Sequence, residues 1–299
     1  MSAYLHFNSI HKRYGRVNAV DGIDLAIARG SIVAVLGPNG AGKSTLFGCL
    51  LGMLQPTRGQ VLFNGAPITD AQRRGFGYVA ERVALYMHRS VADNAEFFAK
   101  IKGHTADDAR RQLERVGLAP YLDRKARQLS KGLLQRLGLA IALIGAPELL
   151  ILDEPFNGLD PALLDQLHAI LKEEHARGAT LLISTHTMSA IEPLATHVAI
   201  VLDGKLATFG TLDELRRIHG EQSLEKIYHR IAKSRGSVAV QNDKAVPPIN
   251  GHAYEAEGRA TLSSARRATH SNIETGVDAQ RRGEDTAALP AQLVHDERK

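Results

Sequence analysis

Along the first 220 residues, apolar positions recur with two alternating periods. Ile23, Leu25 and Ile27 alternate with polar or small residues, the period of a half-buried strand. Ser31–Leu36 (SIVAVL) reads as a short buried strand; a glycine-rich turn follows, then an apolar helix from about Lys43 to Gly52. Gln60–Phe63 is a strand closed by an Asn64-Gly65 turn, and Phe76–Ala80 is another strand. Ser90 with Asp93, and Thr105 with Asp108, have the spacing of N-terminal capping pairs. The first of these helices is expected to carry Phe97, Phe98 and Ile101, the second Leu113 and Val116. A longer helix is expected from Lys131 to about Gly145. Leu149–Leu152 is an unbroken apolar run, the pattern of a strand buried on both faces. Asp160 and Pro161 read as N-cap and first position of a helix carrying Leu163, Leu164, Leu167, Ile170 and Leu171 on one face. Thr180–Ile183 and Val198–Leu202 are further strands, and Asp203-Gly204 is a second hairpin turn. Thr211 with Glu214 caps a short helix, and Ser223–Lys233 is the last one. Strands interleaved with helices predict an α/β domain around a mainly parallel sheet.

After Lys233 the pattern fails. Of the 66 residues from Ser234, ten are Leu, Ile, Val or Phe, and Pro247-Pro248 would break any element. That composition buries too little apolar surface to offset ordering entropy. The expected organisation is a folded domain over 1–233 and a disordered tail over 234–299.

Charge and cysteine content narrow the class. The net charge is +5, and the tail is balanced with nine basic and nine acidic residues, so the excess lies in the first 233. Such an excess fits an anionic ligand or a membrane surface. No stretch free of Asp, Glu, Lys and Arg exceeds fourteen residues, against the ~18 of a membrane-spanning helix. Met1–His11 has no apolar signal-peptide core. The single cysteine, Cys49, excludes an internal disulfide framework and a cysteine-based zinc site. These features fit a cytosolic chain.

The chemistry is concentrated in two segments. Gly37-Pro38-Asn39-Gly40-Ala41-Gly42-Lys43-Ser44-Thr45 matches G-x-x-x-x-G-K-[ST] between a strand and a helix. Its glycines let the backbone curl so that N–H groups, with the dipole of the next helix, cradle a phosphate. Lys43 can reach the outer phosphates of a nucleotide, and the Ser44 hydroxyl can ligate Mg2+. The second segment is Leu149–Glu154. Asp153 at the strand's end can hold Mg2+, and Glu154 beside it can take a proton from an attacking water.

In sequence order, other segments complete a known set. Leu129-Ser130-Lys131-Gly132 followed by Gln135-Arg136, Pro155 with Asn157-Gly158-Leu159-Asp160, Ser184-Thr185-His186, and Tyr14 together resemble the ATP-binding cassette (ABC) ATPases over about residues 4–220. The likeness is to the nucleotide-binding subunits of bacterial ABC transporters. It implies a P-loop NTPase fold of ABC type, α/β, with a helical subdomain over about 82–145 and an antiparallel β subdomain. It implies ATP and Mg2+ as ligands. Tyr14 would stack on adenine; residues 37–45 would hold the phosphates. Ser130 and Gly132, the signature, would face the γ-phosphate on an opposite subunit, with Asp160 beside it. Asp153, Ser44 and the residue at 81 would hold the metal; Glu154 and His186 would be catalytic. A second cassette subunit and a membrane-spanning permease are the implied partners, with the region from Arg82 to about Gly117 as the permease contact. LYMHRSVADN over 85–94 is similar to the exporter branch. The implied location is the cytoplasmic face of the cell membrane. No nucleic-acid partner is expected.

Three positions depart from the family pattern. Lys131 stands where the signature usually has glycine, Glu81 where the family has glutamine, and Phe156 where threonine is usual. A carboxylate at 81 can still ligate Mg2+. Competing readings are a soluble ABC ATPase acting on ribosomes or nucleic acid, and an assembly or regulatory ATPase. The first usually carries two cassettes or a coiled-coil insertion; this chain has one phosphate loop and no sustained heptads. The basic run Arg124, Lys125, Arg127, Lys131 and Arg136 reads as a solvated face or a surface near phosphates or lipid head groups. There is no N-K-x-D guanine motif.

Overall fold

In the computed structural model, which describes residues 3–236, the chain starts with two long antiparallel strands, β1 (Leu5–Tyr14) and β2 (Val17–Ile27). Next come β3 (Ile32–Leu36), α1 (Lys43–Leu50), β4 (Arg58–Phe63), β5 (Ala66–Pro67), α2 (Asp70–Arg74) and β6 (Gly77–Val79). A helical stretch follows, with α3 (Val91–Ile101), α4 (Ala106–Arg115) and α5 (Lys131–Leu143). The remainder is β7 (Leu149–Asp153), α6 (Pro161–Ala176), β8 (Thr180–Thr185), α7 (Met188–Ile191), β9 (His197–Leu202), β10 (Lys205–Thr211), α8 (Leu212–His219) and α9 (Leu224–Ser234). The reading of 234–299 as a disordered tail falls, beyond Gly236, outside the described residues.

The described strands form two sheets. One is antiparallel, in the order β2-β1-β4-β5. The other has the order β10-β9-β3-β8-β7-β6 and is parallel except for the β9–β10 hairpin. Strands β3, β7 and β8 are buried along their whole length. Their alternate residues enter different cores. Ile32, Ala34, Leu36, Leu150 and Leu152 pack with the helices, whereas Val33, Val35, Leu149 and Ile151 face α1 and the antiparallel sheet. This is why their sequences are continuous apolar runs. Helix α1 lies within the second core, with Leu46, Phe47, Cys49 and Leu50 almost wholly buried. Burial pushes the Cys49 thiol up to about 11, so it packs as a small apolar group.

Local signals form as their chemistry dictates. The pairs Ser90/Asp93, Thr105/Asp108 and Thr211/Glu214 are reciprocal capping boxes on α3, α4 and α8. Asp160 caps α6 by accepting from Leu163 N at 2.9 Å, with Pro161 at the first position. Both hairpin turns have the two positive φ angles that Asn-Gly and Asp-Gly favour: 52° and 79° at 64–65, 48° and 76° at 203–204.

Two expectations are corrected, and one strand is added. Helix α1 stops at Leu50 because Gly52, at φ 73°, turns the chain. Ile101 is 62% exposed; the buried face of α3 is Val91, Ala95 and Ala99, spaced by four, with Asn94. Strand β1 is absent from the sequence reading. A bulge at Ser9 (φ 48°) shifts the register between Phe7 and Ile10, so buried Leu5, Phe7 and Ile10 lose their alternation.

Candidate functional site

The loop between β3 and α1 is shaped by backbone that approaches closely from two sides. A Cβ on Gly37 would lie 2.3 Å from the Val201 carbonyl, and one on Gly42 2.3 Å from the Ala19 carbonyl. Gly42 also has φ 104°, a region closed to most side chains. Pro38, Asn39 and Gly40 form the exposed crest; Ala41, Lys43 and Thr45 are buried and Ser44 half-buried. The antiparallel sheet brings Tyr14, the last residue of β1, to this loop. Its hydroxyl hydrogen-bonds the Thr45 side chain, and burial nonetheless pushes the phenol's pKa up.

Lys43 is only 6% exposed. Burying an ammonium costs roughly several kcal/mol unless it is paired. Here it donates to the Gly37 carbonyl at 2.8 Å and the Pro38 carbonyl at 3.3 Å, and pairs with Glu154 Oε1 at 3.1 Å. Glu154 Oε2 lies 2.9 Å from His186 Nδ1 and accepts from the His186 backbone N–H at 3.3 Å. One carboxylate thus joins the phosphate loop, the end of β7 and the end of β8. Glu154 is held at φ 51°, uncommon for a residue with a side chain.

Ser184 holds that conformation. It faces Asp153 across the β7–β8 ladder. Its hydroxyl donates to Asp153 Oδ1 and accepts from Glu154 N at 3.0 Å; its carbonyl accepts from the same N–H at 3.1 Å. Ser184 has no role in the sequence reading beyond membership of its motif, and only the strand register reveals one. Burial raises the Asp153 pKa, aided by the Glu154 charge and outweighing hydrogen bonds from Ser184 and Ser44 and the attraction of Lys43.

Asp153 and Ser44 give oxygen donors within hydrogen-bond reach of each other. Among the described residues there is no group of three or more His, Cys, Asp or Glu side chains able to hold a metal. This donor set fits Mg2+, which is usually held by one or two carboxylates together with substrate phosphates. Glu81 is exposed, two residues past β6. Burial raises the Tyr78 hydroxyl's pKa, and the charges of Asp153 and then Glu81 add to it, so Glu81 lies towards the same edge.

Ser130, Gly132 and Asp160 make no hydrogen bond or ion pair with this group among the described residues. Ser130 is exposed and caps α5, accepting from Leu133 N at 3.4 Å; the Asp160 carboxylate is engaged with its own helix. The signature helix packs instead against the segment after Glu154. Gln135 donates to the Pro155 carbonyl, and a Cβ on Gly158 would lie 3.3 Å from Lys131 Nζ. Phe156 is buried there, edge-on to the His168 ring at 5.8 Å, which accounts for an apolar residue at that position.

Comparison with known proteins agrees with this arrangement. Residues 20–157 match the family model described as ABC transporter. The chain is 34% identical over 225 residues to the lantibiotic transport ATP-binding protein SrtF of Streptococcus pyogenes, covering 75% of this chain and 96% of that protein. It is 37% identical to the bacitracin transport ATP-binding protein BcrA of Bacillus licheniformis, over 73% of this chain and 72% of that one. Among solved structures, the ATP-binding subunit of an ABC transporter superposes with a TM-score of 0.71 at 30% identity, covering 77% of this chain and 100% of the other.

Proposed function

The chain belongs to the ABC transporter family as an ATP-binding subunit, and from that premise we propose that it hydrolyses ATP to drive a separate membrane-spanning subunit. The observation that carries this reading is the three-way contact of Lys43, Glu154 and His186 beside the Asp153–Ser184 pair. Residues 37–45 hold the phosphates, with Lys43 on the outer ones, and Tyr14 stacks on adenine. When bound, Mg2+, held by Ser44 and Asp153, with Glu81 at the same edge, supplies positive charge to the phosphate oxygens. Glu154 releases Lys43 to the nucleotide and accepts the proton of the attacking water. His186, already at hydrogen-bond distance from Glu154, positions that carboxylate and contacts the γ-phosphate.

Ser130, Gly132 and Asp160 complete the site of a second cassette subunit arranged head to tail. The exposure of Ser130 and Asp160, and the lack of bonds from all three to the phosphate loop of their own chain, support this. The loop and helices from Arg82 to about Gly117 take the membrane subunit. The direction is export, supported by the likeness of residues 85–94 to the exporter branch. Among the described residues no helix is long and apolar enough to cross a membrane.

Glu154→Gln tests the chemistry. The amide cannot accept a proton, so turnover should fall ~10²–10⁴-fold while nucleotide binding, read by fluorescence titration, persists. Hydrolysis near the wild-type rate would remove Glu154 as the base.

A further inference from the structure

Lys131 stands where the signature usually has glycine, and neither the phosphate site nor the facing-subunit reading uses it. It opens α5, four residues before Gln135, so the two side chains leave the helix on one face. That face lies on the loop that runs from Glu154 to Asp160. Gln135 donates to the Pro155 carbonyl. Lys131 crosses Gly158: a Cβ there would lie 3.3 Å from Nζ and 3.8 Å from both Cδ and Cε. Gly158 is exposed and held at φ 75°. Behind this contact α5 and α6 are close, since a Cβ on Gly132 would lie 3.0 Å from Leu163 Cδ1.

The loop needs such a hold. Phe156 anchors its middle in the core. Its two turns are closed by long backbone bonds, Asn157 N to the Glu154 carbonyl at 3.3 Å and Leu159 N to the Phe156 carbonyl at 3.4 Å. It starts at Glu154, whose φ of 51° persists only because the surroundings impose it. The Lys131 ammonium forms no hydrogen bond or ion pair among the described residues. What the lysine gives the loop is the packing of its apolar stem. The end of the side chain lies over the loop of its own chain.

We propose that Lys131 is a positioning residue for its own chain's hydrolytic site: lying across Gly158, it holds the 155–160 loop on α5 and keeps Glu154 in place. It therefore serves the nucleotide on its own phosphate loop, whereas its neighbour Ser130 serves the one on the opposite chain. This rests on the reading that the chain hydrolyses ATP in a head-to-tail pair, and adds which of the two sites Lys131 acts on. Lys131→Ala removes the stem and should lower kcat about tenfold with KM for ATP little changed, because the displaced group is the base and not the phosphate cradle. Lys131→Met keeps an apolar stem without charge and should recover most of the rate. Hydrogen exchange over 155–160 in the full chain should be faster in Lys131→Ala and return towards wild type in Lys131→Met. Mixing decides the site. Lys43→Ala mixed with Lys131→Ala should not exceed the rate of Lys131→Ala alone, because each phosphate loop of a mixed pair still carries a lesion from its own chain. Lys43→Ala mixed with Ser130→Arg is the positive control. A rise in the first mixture, or a Lys131→Met chain as slow as Lys131→Ala, would put the ammonium at the opposite nucleotide and overturn the proposal. Unaltered exchange in Lys131→Ala would overturn it as well. If the wild-type chain does not hydrolyse ATP, or the control mixture restores nothing, the catalytic or the two-chain reading fails instead, and the exchange comparison decides whether Lys131 holds the loop.

Discussion

Lys43 and Ser130 both stand at the start of a helix, α1 and α5, with the N-terminal dipole available to an anion. Lys43 is buried and bonded to two carbonyls and a carboxylate. Ser130 is exposed and bonded only to its own helix. The phosphate-loop region is thus assembled within one chain, with three strand ends meeting at Glu154. The signature region is folded and capped, yet among the described residues Ser130 and Asp160 bond only to their own helices and not to the phosphate loop. The first region spends its polar groups internally; the second leaves Ser130 at the surface, where the proposed second cassette would use it.

The largest expected effect tests that division. Lys43→Ala removes the phosphate cation, and Ser130→Arg places a bulky side chain where an opposite phosphate would sit; each should cost on the order of 10²-fold in ATPase rate. In a mixed pair, one site carries both lesions and the other none. Mixing the two purified variants should therefore restore hydrolysis well above either alone. If Ser130 served the phosphate loop of its own chain, mixing would restore nothing.

Next in size is Gly42→Ala. The added carbon meets the Ala19 carbonyl at 2.3 Å and needs φ 104°. A loss of roughly 2–4 kcal/mol in stability is expected, together with loss of nucleotide binding. A melting temperature unchanged by this substitution would mean that the β2 approach does not brace the loop.

Asp153→Asn should act in the opposite sense on stability. The folded-state pKa is raised above the ordinary carboxylate value, so the ionised form costs stability once pH rises from 3.8 through that raised value. Removing the charge should raise the melting temperature of the nucleotide-free chain at neutral pH and weaken Mg2+-dependent nucleotide binding. A lower melting temperature would show that the Ser184 and Ser44 bonds outweigh burial. The smallest effect belongs to the signature side. Ser130→Gly should change stability by only a few tenths of a kcal/mol, because the hydroxyl caps an exposed helix end. Its activity loss should appear only when two cassettes assemble.

Local chemistry was legible in the sequence wherever a few neighbouring residues decide the outcome. The capping boxes at Ser90, Thr105 and Thr211, the Asp160-Pro161 helix start and the Asn64-Gly65 and Asp203-Gly204 turns all formed as read. Each depends on hydrogen bonds or φ angles within about four residues. Strand β1 was not legible, because its bulge at Ser9 is accommodated by a neighbouring strand. Gly59, at φ 81°, leaves room for the Ser9 carbonyl, which would lie 2.2 Å from a Cβ there. The exposure of Ile101 was hidden for a similar reason: helical spacing names candidate faces, and the neighbouring helices choose among them.

By itself, then, the sequence determined the order of elements, the phosphate loop, the acidic pair at 153–154 and the family resemblance, since spacing along the chain carries all of these. Tertiary structure decided which of those groups touch. The β7–β8 register put Ser184 opposite Asp153. The antiparallel sheet put Tyr14 beside Thr45, and the fold closed Lys43, Glu154 and His186 into contact while leaving Ser130 outside. The physical reason is that cross-strand register and sheet-on-sheet packing join residues more than thirty positions apart, through burial and backbone hydrogen bonds that no local pattern records.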